Sequence, residues 1–289
     1  MEIITNEESE LKRAGFYWRE NNHHAGVRAF ICEPLERDGF TNGFSTRMGG
    51  TSPMPDAALN LAGFSEDAAE NILENRRRYL RLFEGEWTLA TCWQVHGAAA
   101  RAVRDARDAV SNTDERCDAL VSDALNILLA VQTADCVPIL LGDARTGAAA
   151  AIHAGWRGTA ASIVPQTLQR MMNEYGTRAE DVRAAVGAAA GACCYEVGAE
   201  VVAVFRERFR DASELLAPTR EGHALIDLQR ANRNQLIAAG VDPSRIHVAP
   251  LCTMCRTDLF FSYRREKTLH GRVGRLLAAI GRKKADAGC

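Results

Sequence analysis

The sequence predicts an α+β fold, a compact mixed β-sheet core flanked by helices. Three observations carry this. Residues 125–158 hold three short apolar runs, 127–131, 137–141 and 148–152, bounded by polar or glycine-rich breaks. Each is the length of a buried strand rather than of a core helix. Strand-like and helix-like segments then follow one another without strict βαβ alternation, which disfavours a doubly wound sheet. Finally, 289 residues that are 47% hydrophobic and 25% charged can bury a sizeable core.

In chain order, residues 1–26 read as a polar, irregular N-terminal segment and 27–289 as a single domain. Residues 27–32 predict a first strand. A glycine-rich loop follows, Gly43-Phe-Ser-Thr-Arg-Met-Gly-Gly-Thr-Ser. It lacks the phosphate-loop spacing, but it offers Arg47, a fixed cation beside Gly49 and Gly50. Ser65 is the expected N-cap of a helix over 65–82, with Arg76 to Arg78 on its solvated face. Strands are expected over 88–95, ending at His96, and over 119–122, ahead of the central three. A helix over 159–175 is closed by Gly176, with Pro165 forcing a kink or a late start. Further strands are expected over 182–186, 223–228, 245–248, 259–263 and 271–280. Further helices are expected over 200–209 and 229–239.

The chemistry concentrates at strand ends. Cys136 stands in the break after the first central run, and His153 closes the third, followed by Ala-Gly-Trp-Arg-Gly. His96 stands in the same situation upstream. Strand ends beside glycine-rich turns are where α/β proteins build sites. Imidazole and thiolate are good zinc donors, and three protein ligands leave a fourth position open. Zinc there would lower the pKa of water to near ~7. Asp135 is placed to orient a ligand or to act as a general acid or base. Gly155, Arg157 and Gly158 lie at a strand-to-helix turn suited to an anion. A second metal reading uses Cys252-Thr-Met-Cys255 with Cys193 and Cys194.

Two other readings of the first cluster stay open at this level. His–Cys–His suits a blue-copper centre, but the seven histidines contain no H-x-H pair from which to build a multicopper cluster. Alternatively Cys136 is a nucleophile with His153 or His96 as its base. A non-enzymatic, zinc-stabilised binding protein is the remaining alternative. The zinc nucleobase-deaminase signature is absent.

Taken together, Phe44-Ser-Thr-Arg-Met-Gly-Gly, Gln94-Val-His-Gly, Thr133-Ala-Asp-Cys-Val-Pro, Ile152-His-Ala-Gly-Trp-Arg-Gly, Cys193-Cys-Tyr-Glu-Val and Phe260-Phe-Ser-Tyr-Arg-Arg resemble the laccase-domain family. This family is also called multicopper polyphenol oxidase-like, or peptidoglycan editing factor. The resemblance implies a laccase-domain-like fold and a catalytic domain over 27–289. It implies one catalytic Zn2+ per chain at His96, Cys136 and His153; copper, which the older family name suggests, is disfavoured by the histidine content. It further implies a purine nucleoside phosphorylase acting on adenosine, inosine and methylthioadenosine, with adenosine deaminase activity. Arg47, Arg157 and Gly155 are then the expected phosphate and substrate contacts. The sequence departs from the family at Met54-Pro55-Asp56 and at Ala188 to Ala192, loops expected to flank the pocket.

The net charge of −2 and the lack of a basic, aromatic-interleaved patch argue against nucleic acid as a partner. No run is long enough to span a bilayer, and the acidic start is unlike a signal peptide. A cytoplasmic protein that is a monomer or weak homodimer is expected. Its nine cysteines are expected to be thiols or ligands rather than a disulfide framework.

Overall fold

The computed structural model of the chain describes residues 2–21, 26–54, 57–63 and 66–283. The central runs form the strands Ile127–Thr133, Val137–Asp143 and Ala149–Ala154. They are apolar throughout, rather than alternating, because two stacked sheets and covering helices bury both of their faces. Successive side chains on a strand point to opposite faces. Ile127, Leu129 and Val131 therefore meet Leu120, Leu140 and Ala151 of the other sheet. Leu128 and Ala130 point outward, onto Tyr79, Leu82 and Phe83. In the second sheet Ile139, Leu141, Ala150 and Ile152 turn the other way, onto the helices Ile163–Tyr175, Ala199–Arg208 and Leu228–Ala238. The layers thus run helix, sheet, sheet, helices.

The first sheet is ordered Phe16–Asn21, Val27–Cys32, Thr41–Ser45, Leu276–Gly281, Ile127–Thr133, Thr88–Ala90. The second is ordered Ile246–Val248, Val182–Val186, Val137–Asp143, Ala149–Ala154, Ala119–Ser122, Ala100–Ala102. Each mixes antiparallel pairs with parallel edge strands, one in the first sheet and one at either edge of the second. A small third sheet joins Glu196–Val197, Ala224–Ile226 and Leu216–Pro218. The mixed-sheet expectation holds.

Several local expectations do not. The N-terminal segment is not irregular: it contains the helix Glu2–Arg13 and the strand Phe16–Asn21, paired antiparallel to Val27–Cys32. Phe16 alternates inward and meets Phe30 and Phe44 edge-on. The helix expected over 65–82 is Ala69–Leu80, and Ser65 lies outside the described residues. Two of its arginines are not simply solvated. Arg76 donates to the Ala62 carbonyl, and Arg78 to those of Gly49 and Gly50.

Helix 159–175 is split into Trp156–Ala160 and Ile163–Tyr175 by Ser162, which sits in the left-handed region at φ 63°. Pro165 then falls in the first turn of the second helix, where its missing N–H costs little. Residues 259–263 form no strand. Ser262 instead caps a helix, Tyr263–His270, by accepting from the Arg265 amide. The last strand is Leu276–Gly281, shorter and later than expected.

Candidate metal centre

Sheet register assembles the site. Val137 pairs with Ala154, which sets Cys136 opposite Gly155. Ala119 pairs with Ile152, which sets Asp118 opposite His153, and the His153 amide donates to the Asp118 carbonyl at 2.7 Å. Ala100 pairs with Ala119, so residues 96–99 run alongside Asp118. Four strands of the second sheet therefore present His96, Asp118, Cys136 and His153 at one end. His96 arrives differently from expectation. The strand over 88–95 stops at Ala90, and His96 precedes the Ala100–Ala102 strand of the other sheet.

The donor atoms of His96, Cys136 and His153 all lie within 4.8 Å of one another. The two imidazole rings meet edge to face at 4.8 Å between centroids. His153 is 3% exposed, Cys136 half-buried and His96 exposed, so the cluster is reached from the His96 side. Gly155 passes close to the cluster. A Cβ there would stand 3.0 Å from Cys136 Sγ and 3.1 Å from His96 Cδ2. A side chain there would have to push Cys136 or His96 aside by a few tenths of an ångström.

Asp118, which sequence reasoning missed, organises the cluster. Its Oδ1 accepts from the His96 amide at 2.9 Å and pairs with His153 Nδ1 at 2.8 Å. Its Oδ2 accepts from the amides of Gly97 at 2.7 Å and Val95 at 3.2 Å. This carboxylate holds His96 in a left-handed turn, φ 60°, and engages Nδ1 of His153 so that Nε2 is the nitrogen left available to a metal. Burial alone would raise the Asp118 carboxyl, but His153 and the amides outweigh it and hold it below its usual value. Burial also opposes ionisation of Cys136, yet the neighbouring histidines pull its thiol down to about 6. His153 is correspondingly pushed up to about 9: Cys136 and Asp118 overcome burial. The signal for Asp118 was a carboxylate directly ahead of the apolar run Ala119-Leu-Val of the strand Ala119–Ser122, since a buried charge must have donors.

The other expected residues lie as follows. Asp135, at φ 87°, turns its carboxylate away from the cluster. It accepts from Thr253 Oγ1 at 2.6 Å, Ser262 Oγ at 3.0 Å and the Arg264 amide at 2.7 Å. Burial raises its pKa despite those three donors. Arg47 is buried, paired with Glu266 at 2.8 Å and stacked on Phe261. It also donates to the carbonyls of Thr257 and Met54. Arg157 is exposed and lies over the Trp156 ring at 4.2 Å. The helix that starts at Trp156 is a single turn. Arg47, Glu266, Arg265 and Met254 line a cavity of about 750 Å³, a size typical of ligand pockets. None of the three cluster side chains lines it.

A double-layered mixed sheet with a His–Cys–His cluster at one end defines a metal-site class of protein. Residues 41–283 match the family model described as multi-copper polyphenol oxidoreductase laccase. The chain belongs to this laccase-domain family. It is 38% identical over 261 residues to "Purine nucleoside phosphorylase YlmD" of Geobacillus stearothermophilus, covering 85% of this chain and 91% of that protein. It is 34% identical over 235 residues to "Adenosine deaminase RL5" from an unknown prokaryotic organism, covering 78% and 88%. The crystal structure of YlmD from Geobacillus stearothermophilus superposes with a TM-score of 0.82 at 35% identity, over 92% of this chain and 99% of that one.

Proposed function

We propose that this chain is a zinc-dependent purine nucleoside phosphorylase with adenosine deaminase activity. Its metal would be held by His96, Cys136 and His153. The observation that carries the reading is the convergence of three donor atoms within 4.8 Å, with His153 fixed by Asp118. The donor set fits the ion: two imidazoles and one thiolate suit zinc and leave a position open. Bound there, zinc would supply Lewis acidity at neutral pH. The purine substrate class rests on the names of the relatives, YlmD and RL5.

The chain's own residues take distinct roles in this reading. Asp118 keeps His153 in one tautomer. Gly155 leaves room beside Cys136 and His96. Arg157 neutralises phosphate, because Arg47 is already paired with Glu266. Asp135 positions the Cys136 loop through Thr253 and Ser262. Chelation followed by zinc add-back tests the reading, with inosine plus phosphate and adenosine as substrates. Both activities should vanish and return. Return with copper alone, accompanied by phenol-dependent oxygen uptake, would favour the oxidase named in the family description.

A second reading has one observation in its favour. Asp118, His153 and Cys136 stand in the order of a carboxylate–imidazole–thiol triad, with the thiol already lowered. A Cys–His hydrolase acting on cell-wall precursors would survive chelation and be silenced by iodoacetamide.

A further inference from the structure

A second sulfur cluster lies outside this centre. Cys193 and Cys194 sit in the turn after Gly191, and Cys252 and Cys255 sit in the segment after Leu251. Their four Sγ atoms lie within 4.8 Å of one another. Cys194 and Cys255 are 3.3 Å apart and Cys193 and Cys255 3.5 Å, with all four thiols free. A disulfide needs about 2.05 Å. A tetrahedral zinc with Zn–S near 2.3 Å needs sulfurs roughly 3.8 Å apart. The 3.3 and 3.5 Å separations fall a few tenths of an ångström inside that edge, and all four sulfurs lie within 4.8 Å.

Two N–H donors reach these sulfurs. The Gly191 amide donates to Cys252 Sγ at 3.2 Å, and Arg265 reaches Cys194 Sγ at 3.9 Å. Donors so placed can hold the sulfurs in position around a metal. Gly191 is also in close quarters: a Cβ there would meet Cys252 Cβ at 3.3 Å and Cys193 Sγ at 3.4 Å. The two segments are already tied together, since the Thr253 amide donates to Ala189 and the Ala189 amide to Leu251.

We infer that Cys193, Cys194, Cys252 and Cys255 form a second, closed metal site that takes one zinc ion. Four protein ligands leave no open position, so the site is structural rather than catalytic. Its role follows from its neighbours. Thr253, between the two cysteines of the CxxC pair, donates to the Asp135 carboxylate. The Ala190 amide donates to the Asp135 carbonyl at 2.9 Å. Asp135 directly precedes Cys136. Zinc at the tetrathiolate site therefore clamps the two segments that hold the Cys136 loop.

The test uses the full-length Cys136→Ala chain, which removes a ligand of the first centre. The proposal therefore stands or falls apart from the proposed activity. The protein is reduced, loaded with zinc, desalted, counted for metal and examined by X-ray absorption. The expected result is about one zinc per chain with four sulfurs near ~2.3 Å and no nitrogen shell at ~2.0–2.1 Å. Less than half a zinc, a shell containing nitrogen or oxygen, or iron in place of zinc overturns the proposal. Should Cys136→Ala fail to fold, Cys252→Ser in the otherwise wild-type chain replaces it. That variant should lose one zinc and lower the mean sulfur number per remaining zinc; unchanged zinc content overturns the proposal equally.

Discussion

Replacing Asp118 with Asn keeps the shape of the side chain and removes what organises the metal centre. The carboxylate accepts four N–H groups: the amides of Val95, His96 and Gly97, and His153 Nδ1. An amide offers one acceptor oxygen and turns an NH2 donor toward the remaining donors. Two charge-assisted bonds are lost, at about 1.5–3 kcal/mol each, so the fold should lose about 3–6 kcal/mol. Zinc affinity should fall 10–100-fold, the range typical of losing a histidine's outer partner.

The loss should also depend on pH. Asp118 is depressed below its usual value in the folded chain. Its contribution is therefore complete above the unfolded carboxyl value of ~3.9, and it fades as pH falls through the lower folded value. Urea denaturation of the metal-stripped wild type and variant, from neutral pH downward, measures the first effect and its convergence in acid. Chelator competition measures the second. Less than a threefold change in zinc affinity, with stability unchanged at pH 7, would refute the role given to Asp118.

Other consequences follow from single contacts. Gly155→Ala places a methyl 3.0 Å from Cys136 Sγ and 3.1 Å from His96 Cδ2. It should weaken zinc binding about tenfold or more while the far-ultraviolet circular dichroism stays unchanged, since the strain falls on the centre rather than the core. Glu266→Ala strands Arg47 as a buried, unpaired cation. It should cost about 3–5 kcal/mol in a denaturation curve. Arg157→Ala should raise the KM for phosphate with little effect on stability, because Arg157 is exposed on Trp156. An unchanged phosphate KM would remove Arg157 from the anion site.

Much of the architecture was legible because burial on both faces writes continuous apolar runs. The three central strands and the Cys136 and His153 positions at their ends came from that pattern alone. Where tertiary hydrogen bonds override local preference, the sequence misled. Residues 91–95 read as strand, but Asp118 takes the three successive amides of Val95, His96 and Gly97 and turns the chain toward the other sheet. The alternation of residues 259–263, Phe260 and Phe261 among them, suggested a strand. Phe260 and Phe261 pack instead as a buried turn ahead of the helix Tyr263–His270, where Ser262 and Glu266 give the cap away. The first strand was passed over although Phe16 and Trp18 alternate as a strand should, because the polar composition around them dominated the reading. Arg47 looked like a free cation, and its partner Glu266 lies 219 residues downstream, where no local pattern links the two.

The central claim is a single zinc at His96, Cys136 and His153 on which turnover depends. It is tested most directly by counting metal in the wild type and Cys136→Ala and assaying inosine plus phosphate and adenosine on the same samples. The account predicts that the substitution removes one zinc per chain and both activities together. Equal zinc content in the two proteins, or full turnover in the variant, would contradict it.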